Sequence, residues 1–109
     1  MPTITGTAAS EVLTGSAGDD VINDDAGGSD TLRGLGGNDV LHVGRNREAP
    51  VGLLRLEGGD GNDLLDYYVF NASQATLEGG AGNDTFRLWA IPGAVQISTG
   101  SGADIIDFG

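Results

Sequence analysis

The sequence predicts an all-β chain wound as a parallel β-roll, a solenoid in which short strands alternate with glycine-aspartate turns. Three observations carry this. A nine-residue pattern, G-G-x-G-x-D-x-U-x with U a large apolar residue, recurs along the chain. It is clearest as GGDGNDLLD at 58–66 and GGAGNDTFR at 79–87, which start 21 residues apart. Repetition at such a period marks a solenoid of parallel strands. Short segments beside the copies alternate apolar and polar with period two, as half-buried strands do, and no stretch shows capped helical periodicity. Glycine contributes 20 of 109 residues, a load that weakens a fold unless its special backbone angles are needed.

Anchoring on the acidic residue at the sixth motif place brings out the remaining copies in order. GTAASEVLT (6–14) carries Glu11 in the aspartate place. GSAGDDVIN (15–23) carries Asp20, DAGGSDTLR (25–33) carries Asp30, and GLGGNDVLH (34–42) carries Asp39. The two clear copies carry Asp63 and Asp84, and TGSGADIID (99–107) carries Asp104. The acidic positions step by 9, 10 and 9 residues up to Asp39, then by 24, 21 and 20. With one turn and one strand per nine residues, a coil takes about eighteen. Residues 1–43 are then expected to carry motif turns on both sides of the roll, and 44–109 on one side only. Opposite those turns, GRNREAPVG (44–52), NAS (71–73) and IPGA (91–94) are expected as ordinary loops, rich in turn-forming Pro, Gly and Asn. The whole is expected to be a single module, 1–109. Ending at Gly109 just after a motif strand, with no visible secretion signal, it is expected to be part of a longer protein.

The strands follow from the same register. Alternating segments lie before the turn glycines (LLRLE 53–57, ATLE 75–78, VQIS 95–98) and after the motifs (LHV 41–43, LDYYV 65–69, FRL 86–88, IIDF 105–108). The predicted inward set is Leu13, Ile22, Leu32, Leu41, Val43, Leu54, Leu56, Leu65, Tyr67, Leu77, Phe86, Leu88, Val95, Ile97, Ile106 and Phe108. Coils stacked about 4.8 Å apart put His42, Asp66, Arg87 and Asp107 in one outward column, where opposite charges meet. On the other face Arg33, Glu57 and Glu78 fall in line, and the two glutamates are expected to repel. His42 is expected as an exposed strand residue, and Asp66 and Asp107 as solvated ones.

Composition limits the function classes. Five Arg, no Lys and 16 acidic residues leave a net charge of −11. That much negative charge repels itself in a compact fold. A divalent cation at the carboxylates relieves it, whereas nucleic acid is an unsuitable partner. Without cysteine there is neither a disulfide framework nor a thiolate metal site. No apolar run approaches the length of a membrane span. One histidine and no cysteine leave no nucleophile-base pair, so an enzyme is not expected. No copy fits an EF-hand loop, and a phosphate loop would need a lysine.

The turns carry the chemistry. Glycine at the first, second and fourth places is expected to adopt backbone angles closed to other residues, turning carbonyl oxygens into the gap between stacked turns. The sixth-place aspartate adds a carboxylate. Calcium takes six to eight oxygens at about 2.3–2.6 Å, more than one turn offers but within the reach of two. The candidate ligands are therefore Asp20, Asp39, Asp63, Asp84 and Asp104 with turn residues Gly15, Gly34, Gly37, Gly58, Gly59, Asp60, Gly61, Gly79, Gly80, Gly82, Gly100 and Gly102. Sites are expected between Asp20 and Asp39, Asp39 and Asp63, Asp63 and Asp84, and Asp84 and Asp104. A fifth candidate pairs Glu11 with Asp30 on the opposite side. Cation binding stabilises carboxylates as anions, so lowered folded-state pKa values are expected.

On these motifs the chain resembles the RTX, or hemolysin-type, calcium-binding repeat family over nearly its whole length, with Gly-Asn-Asp intact in the copies from Gly34, Gly58 and Gly79. The resemblance implies a parallel β-roll holding calcium by turn carbonyls and paired aspartates. It also implies a secreted, extracellular protein of a Gram-negative bacterium, exported by type I secretion through a C-terminal signal. The chain departs from the pattern where Ser16 and Leu35 replace the second glycine, where Glu11 replaces aspartate, and in the missing C-terminal motifs. The expected function is a calcium-binding module that folds after export and supports neighbouring domains of its parent protein. The alternative is a polysaccharide-binding module similar to the R-modules of alginate epimerases; Trp89, with Tyr68 and Arg87 nearby, is a candidate sugar-stacking patch, although partial core or end packing is the expected role of that ring.

Overall fold

The computed structural model describes residues 3–6, 12–24, 30–43, 51–68, 72–90 and 94–107. Its strands are β1 (Thr3–Thr5), β2 (Val12–Thr14), β3 (Val21–Asp24), β4 (Thr31–Arg33), β5 (Val40–Val43), β6 (Val51–Glu57), β7 (Leu64–Tyr68), β8 (Ala72–Glu78), β9 (Thr85–Ala90), β10 (Ala94–Ser98) and β11 (Ile105–Asp107). Odd-numbered strands form a six-stranded sheet in chain order, and even-numbered strands form a five-stranded one. Every pairing is parallel. The chain thus crosses from one sheet to the other at each turn, two strands to a coil, which is the β-roll that the repeats predict.

Register is set by the apolar residue at the eighth motif place. Leu41 stands on Ile22, Leu65 on Leu41, Phe86 on Leu65 and Ile106 on Phe86 in one sheet. In the other, Leu13, Leu32, Leu56, Leu77 and Ile97 stack likewise. A slip by one residue would turn each column to solvent, so burial holds the register. Twelve of the predicted inward residues, from Leu13 to Leu88, are buried, and Ile97 packs partly against them. Val95 and Phe108 lie outside the described side chains. Ile106 is a correction: it is 40% exposed, because β11 is an edge strand that pairs, among the described residues, with β9 alone. Ala75 and Asp24, both fully buried, were not in the predicted set.

Strands outrun the alternating segments that predicted them. Val51 and Gly52 belong to β6, Ala72 and Ser73 to β8, and Ala94 to β10, although all five were expected in loops. Parallel backbone pairing continues past the point where side-chain alternation stops, as Val51 against Ala72 shows. The rest of those expected loops, 44–50, 71 and 91–93, lies outside the described residues.

Candidate metal centre

Five turns, 15–20, 34–39, 58–63, 79–84 and 99–104, each connect an even strand to the next odd one and so share one edge of the roll. Along that edge the sixth-place aspartates form a ladder. The backbone N–H of Asp20 donates to Asp39 Oδ1 at 2.8 Å, Asp39 to Asp63 Oδ1 at 2.8 Å, Asp63 to Asp84 Oδ1 at 2.9 Å and Asp84 to Asp104 Oδ1 at 2.8 Å. One oxygen of each carboxylate is therefore occupied by the preceding coil. The other, Oδ2, is buried without a hydrogen-bond partner in Asp39, Asp63 and Asp84, residues no more than 3% exposed. Three orphaned carboxylate oxygens in a row are costly unless something meets them.

The first-place glycines show what that space is. A Cβ on Gly34 would lie 2.5 Å from Asp39 Oδ2 and 2.6 Å from the Gly58 carbonyl oxygen. On Gly58 it would meet Asp63 Oδ2 at 2.6 Å and the Gly79 oxygen at 2.8 Å; on Gly79, Asp84 Oδ2 at 2.5 Å and the Thr99 oxygen at 2.8 Å. A carboxylate oxygen and a carbonyl oxygen of the following coil thus converge at each of these gaps. This corrects the expectation for the first place. Gly34, Gly58 and Gly79 do not have positive φ; glycine is needed there for room. Positive φ belongs to the second and fourth places, as at Gly59 (86°) and Gly61 (105°). A Cβ on Gly59 would approach the Leu35 carbonyl oxygen to 2.0 Å, so the turns stack backbone against backbone. Gly37, Gly80, Gly82, Gly100 and Gly102 repeat that geometry, and Leu35 adopts it without being glycine, at φ 70°.

A second ladder runs beside the first and was missed from the sequence. The fifth-place N–H of each turn donates back to the side chain below: Asn38 to Asp19 Oδ1, Asn62 to Asn38 Oδ1, Asn83 to Asn62 Oδ1 and Ala103 to Asn83 Oδ1, all at 2.7–2.8 Å. The signal was the recurrent Asn-Asp pair itself. Asparagine ties a turn to the coil after it through its side chain, and aspartate ties it through its N–H.

Electrostatics press on the same row. Burial raises the Asp39 and Asp84 carboxyls above their ordinary range and pushes Asp63 up to about 7, against the lowering effect of their backbone hydrogen bonds. Neighbouring anionic aspartates add to the rise. The expected lowering therefore belongs to a cation-loaded row; the protein's own groups push the other way. The donor set fits calcium. It consists of hard oxygens from carboxylates and carbonyls, with no nitrogen or sulfur. Among the described residues no three acidic or histidine side chains converge, so carboxylates alone do not make a coordination shell and the converging carbonyls are the further donors at hand.

Other candidates fall apart from the row. Asp30 is buried on the opposite edge, where its carbonyl accepts from Arg55 N at 3.0 Å; its proposed partner Glu11 is outside the described residues. Asp60 is exposed, with its N–H on the Leu35 carbonyl. The outward column holds its predicted register, but His42 and Asp66 are half-buried and paired at 3.0 Å, not solvated. The expected clash between Glu57 and Glu78 is relieved by Arg55, 3.5 Å from one and 2.9 Å from the other. The side chains of Trp89 and Tyr68 lie outside the described residues.

A parallel roll edged by stacked acidic turns with converging oxygens defines a repeat module built to hold hard cations. The family model for the RTX calcium-binding nonapeptide repeat matches residues 5–27, 24–46, 55–67, 76–90 and 92–109. These stretches cover most of the chain, which belongs to that family. No curated protein and no solved structure matches the chain.

Proposed function

We propose that this RTX calcium-binding domain is a folding module of a secreted bacterial protein, ordering on calcium after export and supporting the domains beside it. The observation that carries the proposal is the row of orphaned, buried Oδ2 atoms of Asp39, Asp63 and Asp84 facing carbonyl oxygens of the next coil. These carboxylates, with the Gly58, Gly79 and Thr99 carbonyls, are the proposed ligands. An ion in each gap supplies positive charge where burial and mutual repulsion otherwise oppose ionisation. At about ten times its Kd, each bound ion adds about 1.4 kcal/mol of stability. A few such ions amount to a large part of an ordinary domain's stability. Without them an acidic, glycine-rich chain with a modest core is expected to stay unfolded, a state suited to threading through an export channel.

Circular dichroism tests this. At neutral pH the chain should give a disordered far-ultraviolet spectrum in chelator and a β spectrum at millimolar calcium. Magnesium should not substitute, since it gives up its water reluctantly and demands a tighter octahedron. A β spectrum in excess chelator at neutral pH would overturn the proposal.

A further inference from the structure

The first turn of the row shares the convergence at its first place, where a Cβ on Gly15 would meet Asp20 Oδ2 at 2.5 Å and the Gly34 carbonyl oxygen at 3.0 Å, but it is built differently at the places that follow. Ser16 occupies its second place, where the motif has glycine. The Ser16 N–H donates to Asp20 Oδ2 at 2.5 Å, and the Ser16 hydroxyl lies 3.0 Å from Oδ1 and 3.1 Å from Oδ2. Its single proton is shared between the two oxygens. Asp20 is fully buried, yet neither of its oxygens is left without a partner, unlike Oδ2 of Asp39, Asp63 and Asp84. The backbone differs as well. Each of the other four turns has positive φ at its second and fourth places, whereas Ser16 and Gly18 have none. The turn still packs on the next coil, where a Cβ on Gly37 would meet the Gly18 carbonyl oxygen at 2.5 Å, but it does so without the left-handed residues of the other four. Asp20 also stands at the start of the ladder: its N–H reaches Asp39 Oδ1, and Ser16 provides what a preceding coil would otherwise provide.

From this we infer that Ser16 takes the place of an ion, so the gap between Asp20 and Asp39 holds no calcium and the first turn is a protein-built end cap. The inference rests on the calcium proposal above and refines it. The gaps at Asp39–Asp63, Asp63–Asp84 and Asp84–Asp104 bind one ion each, and the Asp20–Asp39 gap binds none. A hydroxyl and an N–H donating into a carboxylate satisfy the lone pairs that a cation would use. A cation entering that gap would have to displace both donors and rebuild the turn.

The test is the calcium stoichiometry of the full chain by isothermal titration calorimetry, with far-ultraviolet circular dichroism to verify folding. The wild type should bind three ions, one beside each unpartnered Oδ2 of Asp39, Asp63 and Asp84. Asp20→Asn should leave that count unchanged. Ser16→Gly, which removes the hydroxyl and permits positive φ, should gain one ion, a result that a misfolded variant cannot produce. A wild-type count of four that falls by one in Asp20→Asn overturns the inference while leaving the calcium proposal standing. So does a Ser16→Gly variant that gains nothing. Absence of any calcium binding by the wild type overturns both, and is told apart by the missing isotherm.

Discussion

The N-terminal and central coils of the roll differ in how much strand pairing and core hold them together. Strands β2 to β5 have three or four residues, and the coil from Asp20 to Asp39 takes 19. Further on, β6 and β8 have seven residues each and pair through six of them, and the coil from Asp39 to Asp63 takes 24. The change falls where the sequence gives up motif turns along one edge. Longer ladders and a deeper core replace the missing turns: Leu54, Leu56, Leu65, Tyr67, Leu77, Phe86 and Leu88 are all buried in β6 to β9. The N-terminal coils instead lean on a short ladder and on the Ser16 cap. The aspartate and asparagine ladders stitch the motif edge in both regions, so the two differ in strand length and depth of core.

Identical truncations in the two regions should have the largest and most unequal effects. Leu65 is fully buried in a central strand, while Leu13 is 8% exposed in the edge strand β2. Leu65→Ala should cost about 4 kcal/mol and Leu13→Ala about 2, the spread expected when one site cannot collapse around its cavity and the other can. Denaturant unfolding in saturating calcium measures both. Equal losses would mean that the two regions are packed alike.

Next in size are the row aspartates. Sequence reasoning shared Asp63 between two gaps, which would make Asp63→Ala lose two ions and Asp104→Ala one. In the structure Oδ1 of Asp63 is taken by the Asp39 N–H, and only Oδ2 faces a gap. Asp63→Ala should then lose one ion and broaden the folding transition, since repeat stabilities are near-neighbour sums. Asp104→Ala should lose none and weaken only the end coil. Asp66→Ala is the control; its carboxylate pairs with His42 on the outward face of the odd-numbered sheet, so the ion count should stay unchanged. Titration calorimetry decides. A loss of two and one would show that calcium draws Oδ1 away from its N–H.

A pH experiment separates the row from the core. Asp63 rises from 3.8 to about 7 through burial, and Asp39 and Asp84 rise with it. An acid whose folded pKa exceeds its unfolded one binds more protons when folded, so stability falls as pH rises between the two values. In chelator the β signal should therefore grow on acidification from about pH 8 to 5. In saturating calcium the ion holds these groups as anions, the sign reverses, and acid should destabilise. Circular dichroism under both conditions checks it. The same trend in both would mean that the row does not bind the ion.

Much of this was legible because the motif fixes a phase. Once Asp39, Asp63 and Asp84 are aligned, the inward set and the His42–Asp66–Arg87 column follow from period two alone. What was not legible crosses between coils or depends on an end. A missing glycine at position 16 does not show what the serine hydroxyl touches. The asparagine ladder is a hydrogen-bond pattern between turns about 20 residues apart, invisible to local pattern. Asp24 continues the inward phase of β3 past its last apolar residue, and Ile106 keeps the right phase but lies in the edge strand of the described sheet.

The smallest expected effect concerns the other departure from the motif. Leu35 holds φ 70° at the second place of its turn and is 41% exposed, so its side chain contributes modestly to burial. A left-handed conformation costs a residue with a Cβ about 1–2 kcal/mol. Glycine removes that penalty but adds backbone entropy to the unfolded chain, worth about 0.4–1 kcal/mol in the opposite direction. Leu35→Gly should therefore stabilise the roll by about 0.5 kcal/mol and leave the calcium count unchanged. Gly59→Ala is the mirror experiment in the next turn, where a Cβ would meet the Leu35 carbonyl oxygen at 2.0 Å. There the strain cannot be relieved without parting the coils, so that variant should fold only at higher calcium. Paired denaturation curves of the two variants give the sign. A loss of stability in Leu35→Gly would mean that the leucine side chain, not the turn geometry, decides what that position needs.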